Sequence, residues 1–255
     1  MQSKELFDIS GRKALVTGAG RGIGKVLALT LAKAGCDVAL LGLHRENLES
    51  VAVQIRGTGR AAQVLTADVA QKEQVFTAFQ QLEEKFGRLD ICVNNAGISL
   101  QEPAEEMKEE DWDRIIDINM KGVFLCSQAA ARLMIPRRSG VIINIGSISG
   151  SVVNVPQKQG VYNTSKAGVV MLTRSLAVEW APYGLRVNSL SPGYIKTEMT
   201  LQAMSHLFPT WESLTPMGRL GETDDLQGPL IFLASDASRY MTGHDLIIDG
   251  GYTVR

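Results

Sequence analysis

Residues 17–24 read Thr17-Gly18-Ala19-Gly20-Arg21-Gly22-Ile23-Gly24, directly after the aliphatic run Ala14-Leu15-Val16. The run predicts a strand at 14–17, and the pattern at 22–34 predicts a helix behind it. Glycines between the two let the chain turn tightly and let its backbone approach a ligand. A helix starting at such a turn presents free N–H groups and the positive end of its dipole, which suits a pyrophosphate. The spacing is T-G-x-x-x-G-x-G rather than G-x-G-x-x-G. Such a turn can also serve only as a helix entry, but its place after the first strand favours dinucleotide binding.

Dinucleotide folds put an acidic residue at the end of the second strand, about 20 residues on, to accept from the ribose 2′-OH. Here that strand, 38–43, carries Gly42 at the acid's place, with His44 and Arg45 just beyond. Asp37 stands at the other end and reads as a turn residue. Without a carboxylate, a 2′-phosphate meets no repulsion, and Arg21, His44 and Arg45 would attract it. The expected cofactor is NADP, with NAD as the alternative.

Further along, β-branched runs at 62–66, 91–94, 141–145, 186–190 and 245–248 alternate with helical patterns at 71–86, 112–135 and 161–180. Alternation of this kind predicts βαβ units. Val141-Ile142-Ile143-Asn144-Ile145 is nearly continuous in apolar residues, as a strand covered on both faces should be. The expectation is an α/β fold: a single Rossmann-type domain over 1–255, with a doubly wound parallel seven-stranded sheet and helices on both faces. Residues 194–222 break the rhythm and carry Pro209, Pro216, Met204, Phe208, Trp211 and Met217. A long insertion like this predicts a substrate lid, or else a helix pair resting on the body.

Composition narrows the function classes. The chain has 255 residues, 45% apolar and 21% charged, with a net charge of -1, so neither nucleic acid nor an anionic membrane is an expected partner. Cys36, Cys92 and Cys126 show no metal-ligand spacing and read as buried thiols in a reducing compartment. No metal site is expected. Met1-Gln2-Ser3-Lys4-Glu5 is not a secretory leader, and no run of ~18 apolar residues exists to span a membrane. The expected location is the cytoplasm.

Chemistry concentrates at Tyr162 and Lys166, four apart in a helical pattern and so on one face. Bringing a phenol from a pKa of ~10 to ~7 takes roughly 4 kcal/mol of preference for the phenolate. One cation at ~4 Å supplies about that at an effective dielectric of ~20, and a lysine one turn away is such a cation. Tyr-x-x-x-Lys can therefore form a general acid/base at neutral pH. Around it, Asn94-Asn95-Ala96-Gly97 ends the fourth strand and Asn119 lies in the next helix. Ser147 follows the fifth strand, and Pro192-Gly193 ends the sixth. Each falls where open α/β sheets place ligands.

In this order, T-G-x-x-x-G-x-G, N-N-A-G, a helix Asn, a Ser after strand five, Y-x-x-x-K, S-P-G and a late D-G-G resemble the short-chain dehydrogenase/reductase family, from Gly11 to Tyr252. The resemblance implies a hydride transfer between nicotinamide and a secondary alcohol or ketone. It implies that Tyr162 is the general acid/base, and that Lys166 holds the nicotinamide ribose and lowers the Tyr162 pKa. Ser147 would bond the substrate oxygen, and Asn119 would help position a water in a proton relay. Gly18, Arg21, Gly22, Ile23 and Gly24 would line the pyrophosphate, and Asp68 and Val69 the adenine. Asn95, Ala96 and Gly97 would flank the ribose region, and Gly193, Ile195 and Thr197 the nicotinamide. Many relatives place the serine about thirteen residues before the tyrosine. Here Ser149 has that spacing and Ser147 stands fifteen before, but the strand run favours Ser147 and turns Ser149 toward the substrate.

Asn154 and the neighbouring glutamines border the implied pocket and suit a hydroxylated substrate. The segments 181–200, 216–221 and 249–255 are similar to sugar-alcohol and sugar-acid dehydrogenases of that family, which implies a polyol, ketose or sugar acid. The runner-up is reduction of a 3-oxoacyl group on an acidic carrier protein. Its docking patch would be Lys196 and Arg219 in the lid, or Arg137-Arg138. A remoter alternative is a non-catalytic NADP-sensing module. The family also implies a homotetramer, with 112–135 and 161–180 paired between subunits.

Overall fold

The computed structural model describes residues 3–255, so Met1 and Gln2, part of the segment read as no leader, lie outside the described residues. A short helix α1 (Ser3–Leu6) precedes β1 (Lys13–Thr17), α2 (Gly22–Lys33), β2 (Asp37–Gly42), α3 (Arg45–Arg56) and β3 (Ala62–Thr66). Then come α4 (Lys72–Phe86), β4 (Ile91–Asn94), α5 (Glu109–Ile116), a π-turn at Asp117–Lys121 and α6 (Gly122–Met134). The second half runs through β5 (Gly140–Ile145), α7 (Gly160–Trp180), β6 (Leu185–Pro192), β7 (Ile195–Lys196), α8 (Glu198–Ala203) and α9 (Phe208–Leu214). It closes with β8 (Gly221–Glu222), α10 (Gln227–Ala234) and β9 (Asp245–Ile248).

Seven strands form one parallel sheet in the order β3-β2-β1-β4-β5-β6-β9, and β7 pairs with β8 separately. Because successive side chains on a strand face opposite ways, each strand feeds two cores. Val16, Leu40 and Ile143 join Leu27, Leu31, Leu48, Ile55, Leu230 and Leu233 from α2, α3 and α10. Leu15, Leu41 and Ile142 join Phe79, Leu82, Cys126, Met134 and Leu176 from α4, α6 and α7 on the other face. Both faces are thus covered, as the nearly unbroken apolar strands require. Strand order reverses between β1 and β4, which opens a crevice outside their carboxyl ends.

Two details differ from the sequence reading. Asp37 is the first residue of β2, in register with Lys13, and not a turn residue. Lys13 Nζ lies 2.5 Å from its carboxylate, and Arg60 and the Ala61 N–H bond it as well. The helical stretch 112–135 is not uniform: the π-turn divides it at Asn119. Residues 194–222 form α8 and α9 between β7 and β8, whose pairing closes the base of the excursion. All three cysteines are buried free thiols, and burial pushes Cys36 and Cys126 up to about 12. No helix among the described residues is long and apolar enough to cross a membrane.

Candidate active site

The glycine-rich turn is built so that side chains do not fit. Gly18 and Gly22 hold φ of +63° and +53°, the left-handed region that favours glycine. A Cβ on Gly18 would lie 2.9 Å from Ala96 Cα, and one on Gly24 would collide with the Gly18 carbonyl and Asn95 Nδ2. Asn95 is the clasp: its Nδ2 donates to the Thr17 and Gly18 carbonyls at 3.0 and 3.3 Å. Thr17 Oγ1 accepts in turn from the Asn95 and Ala96 N–H groups at 2.9 and 3.0 Å. The end of β4 is thereby locked to the turn, and α2 begins at Gly22 with Arg21, exposed and extended, at its N-cap. Ile23 packs against the apolar core beneath. A backbone cradle with no room for a Cβ at Gly18, Gly20 or Gly24, facing the start of a 12-residue helix, fits a pyrophosphate.

The rim of the crevice continues through Asp68 and Val69 after β3. Asp68 Oδ1 accepts from the Ala70 N–H at 2.9 Å, and Val69 is buried against Gly122, where a Cβ would stand 2.8 Å from its Cγ2. At the end of β2, a Cβ on Gly42 would meet only Leu48 methyls, at 3.4 and 3.8 Å. Asn47, in the first turn of α3, packs against Gly20, which brings the start of α3 beside the cradle. His44 and Arg45 there are exposed, and Arg45 pairs with Glu49 at 3.2 Å.

Tyr162, Lys166, Asn119 and Gly97 converge at the carboxyl ends of β4 and β5. A Cβ on Gly97 would lie 3.3 Å from Asn119 Oδ1 and 3.7 Å from Lys166 Nζ. Asn119 is fully buried in the π-turn: its Oδ1 accepts from Ile98 N at 2.8 Å, and its Nδ2 donates to Ile98 O and Ser165 Oγ at 2.9 and 3.0 Å. Such π-turns often mark functional sites. Lys166 Nζ donates to the Ile145 carbonyl at 2.8 Å, and burial pushes its pKa down to about 8. The ammonium stands 5.7 Å from the Tyr162 ring centroid. The expected lowering of the Tyr162 pKa is not what this geometry produces: burial raises it, against a smaller downward pull from a hydrogen bond with Ser147. A half-buried phenol loses part of the water that would solvate its anion, and Lys166 is directed to a strand-end carbonyl instead.

Ser147 caps a 3-10 turn, its Oγ accepting from Ser149 N at 3.1 Å. Ser149 Oγ donates to Asn154 Oδ1 at 2.6 Å, which also accepts from Gln159 at 2.9 Å. Asn154 Nδ2 and Gln157 Nε2 both donate to the Tyr194 hydroxyl, at 3.2 and 2.9 Å. Ser149 and Asn154 are thus buried and bonded to each other and to the loop. Tyr194 stacks on Trp211 of α9 with centroids 4.1 Å apart, and Trp211 Nε1 donates to Gln157. Gly193 has no room for a side chain over Asp249, Ile195 is buried, and Thr197 caps α8.

Sequence reasoning missed Tyr194 and Tyr252 as members of this wall, the second standing edge-on to the Tyr194 ring with centroids 5.2 Å apart. It also missed a buried ladder beneath the site, in which Asn94 donates to Asn144 and Ser127, and Asn144 to Thr173, each at 2.8 Å. The available signal was polar residues inside apolar strands, which a buried hydrogen-bond network requires. Among the described residues no three His, Cys, Asp or Glu gather as metal ligands.

Comparison with known proteins adds five findings. A family model described as Enoyl-(Acyl carrier protein) reductase matches residues 18–253. Galactitol 2-dehydrogenase (L-tagatose-forming) of Cereibacter sphaeroides is 41% identical over the whole of both chains. The 3-oxoacyl-[acyl-carrier-protein] reductase of Staphylococcus aureus (strain Mu50) is 40% identical over 94% of this chain and 97% of its own. Two solved structures superpose over the full length of both chains. One is a short-chain type dehydrogenase/reductase from Mycobacterium marinum, at TM-score 0.97 and 46% identity. The other is a gluconate 5-dehydrogenase from Burkholderia cenocepacia in complex with NADP and tartrate, at TM-score 0.94 and 39% identity.

Proposed function

Since the chain belongs to the short-chain dehydrogenase/reductase family, we propose that this NAD(P)-dependent oxidoreductase of secondary alcohols and ketones acts on a polyol, ketose or sugar acid, with NADP preferred. The observation that carries the reading is the convergence of Lys166, Asn119 and Gly97 beside Tyr162, next to a wall rich in amide and hydroxyl groups. Full-length similarity to galactitol and gluconate dehydrogenases supports the substrate class, and the NADP bound to the Burkholderia relative supports the cofactor.

The dinucleotide would lie with its pyrophosphate on Gly18, Arg21, Gly22, Ile23 and Gly24. Asp68 and Val69 would border its adenine, Asn95, Ala96 and Gly97 its ribose side, and Gly193, Ile195 and Thr197 its nicotinamide. When bound, it supplies or accepts the hydride. Tyr162 holds the proton: a phenol raised by burial is protonated at neutral pH and is ready to donate to a carbonyl oxygen. Ser147 bonds the same oxygen. Lys166, one turn along α7, places a positive charge at the ribose, and the fully buried Asn119 fixes the loop after β4 against α7. Ser149 and Asn154 shape the pocket wall. The Tyr194 hydroxyl accepts from Asn154 and Gln157 and joins that wall. Residues 194–222 serve as the lid, anchored by Trp211.

The second reading is reduction of 3-oxoacyl groups on an acidic carrier, which the Staphylococcus relative favours. Against it, the lid cations are already neutralised: Lys196 pairs with Glu222 at 3.4 Å and Arg219 with Asp225 at 2.7 Å. A homotetramer is supported by exposed apolar residues Trp112 and Phe124 around the α5–α6 unit and Met171 and Val178 on α7. The buried free thiols suit the cytoplasm. The test is a screen of polyols, sugar acids and acyl thioesters with both cofactors. Turnover of polyols or sugar acids is expected, and turnover confined to acyl thioesters would overturn the substrate class.

A further inference from the structure

The amino-terminal edge of the sheet, opposite the catalytic crevice, holds a second cavity of about 470 Å³. Among the described residues its wall carries Arg12, Arg88, Arg137, Arg186 and Arg239 against two carboxylates, Asp90 and Asp236, a formal excess of three positive charges. The proposed mechanism uses none of these residues. The size is that of a small-metabolite pocket rather than a bare-ion site.

The arginines are held in place by the protein. Arg12 donates to the Ala234 carbonyl and to Asp236, both at 2.9 Å. Arg88 and Arg137 grip the two oxygens of Asp90 at 2.9 and 3.0 Å, and also bond the Gly11 and Leu89 carbonyls. Arg186 bonds Ser238 Oγ and the carbonyls at the end of α10. A guanidinium has five N–H donors. Among the described residues Arg12, Arg88 and Arg137 make two hydrogen bonds each to the protein and Arg186 three, so each of these four keeps donors for a ligand. Burial, and then the Arg12 charge, push Arg186 down to about 10, as a cation without full compensation would be.

We propose that this cavity binds a small polyanion, a phosphorylated or polycarboxylate metabolite, at a site separate from the catalytic crevice. Planar guanidinium forks match carboxylate and phosphate oxygens in pairs, and a fixed group of them avoids the ordering that a flexible lysine cluster would need. A ligand with two or three negative charges would balance the excess.

The test titrates pyrophosphate, and separately citrate, calorimetrically into the full-length protein saturated with NADP, so that the dinucleotide cradle is filled. One or both anions are expected to bind once per chain, and which does so separates a phosphorylated ligand from a polycarboxylate. The Arg88→Gln/Arg137→Gln variant should weaken that binding roughly tenfold or more while leaving NADP binding unchanged. Asp236→Asn, which adds to the positive excess, should tighten it several-fold and keeps the test informative if the double variant does not fold. Equal anion affinity in wild type and both variants, or no binding of either anion at millimolar concentration, would overturn the proposal. Loss of NADP binding in the wild type would instead count against the cofactor reading.

Discussion

Replacing Gly42 by Asp tests the cofactor reading where the chain departs most from an NAD site. A Cβ there meets only Leu48 methyls at 3.4 and 3.8 Å, which is ordinary contact, so β2 should keep its place. The added carboxylate would stand at the end of β2, where such folds bind the ribose 2′-OH. Two unit charges ~4 Å apart repel by about 1 kcal/mol in water and about 4 kcal/mol at an effective dielectric of 20. Gly42 is half-buried on an open rim, so roughly 1.4–2.8 kcal/mol is the working range, a tenfold to hundredfold loss of kcat/KM for NADP. NAD should gain, because the carboxylate accepts from its 2′-OH. The assay is kcat/KM for both cofactors in wild type and variant, with the unfolding temperature as a control. Wild-type preference for NAD, or an equal change for both cofactors, would refute the reasoning.

Other outcomes follow from the same geometry. Ser147→Ala should lower kcat far more than Ser149→Ala, because Ser149 is bonded to Asn154 while Ser147 stands beside the phenol; steady-state kinetics of both variants decides the register. Gly24→Ala should weaken dinucleotide binding and lower the unfolding temperature, since its Cβ strikes the Gly18 carbonyl and the Asn95 clasp; fluorescence titration and thermal unfolding read both. Lys166 is held at about 8, below its ordinary value, so its ammonium is lost as pH rises through that point. Dinucleotide affinity should fall above pH 8 by up to about tenfold per unit, and Lys166→Arg, which does not titrate there, should flatten the profile.

Much of this was readable from residue patterns. All seven strands of the main sheet fall where aliphatic runs predict them, since a doubly covered strand needs apolar residues on both faces. Tyr162 and Lys166 stand one turn apart on α7 as their spacing predicts, because one helical turn is a local property. Long-range encounters were not readable: Trp211 reaches Gln157 across 54 residues, and Tyr194 meets Trp211 only once residues 194–222 have folded back. The π-turn at Asn119 was hidden because one extra residue in a turn hardly disturbs an apolar periodicity. The direction of the Tyr162 shift was misjudged because charge spacing is visible in a sequence and desolvation is not.

The central claim, that the Tyr162 hydroxyl moves the proton, is tested most directly by Tyr162→Phe, with turnover and cofactor affinity measured on the same preparation. Loss of the hydroxyl would remove the proposed acid/base group but leave the ring that packs beside Lys166. The account predicts that kcat falls by a factor of about 10² to 10⁴ or more, while the dinucleotide dissociation constant stays within a few-fold of wild type. A variant that turns over at the wild-type rate would contradict it.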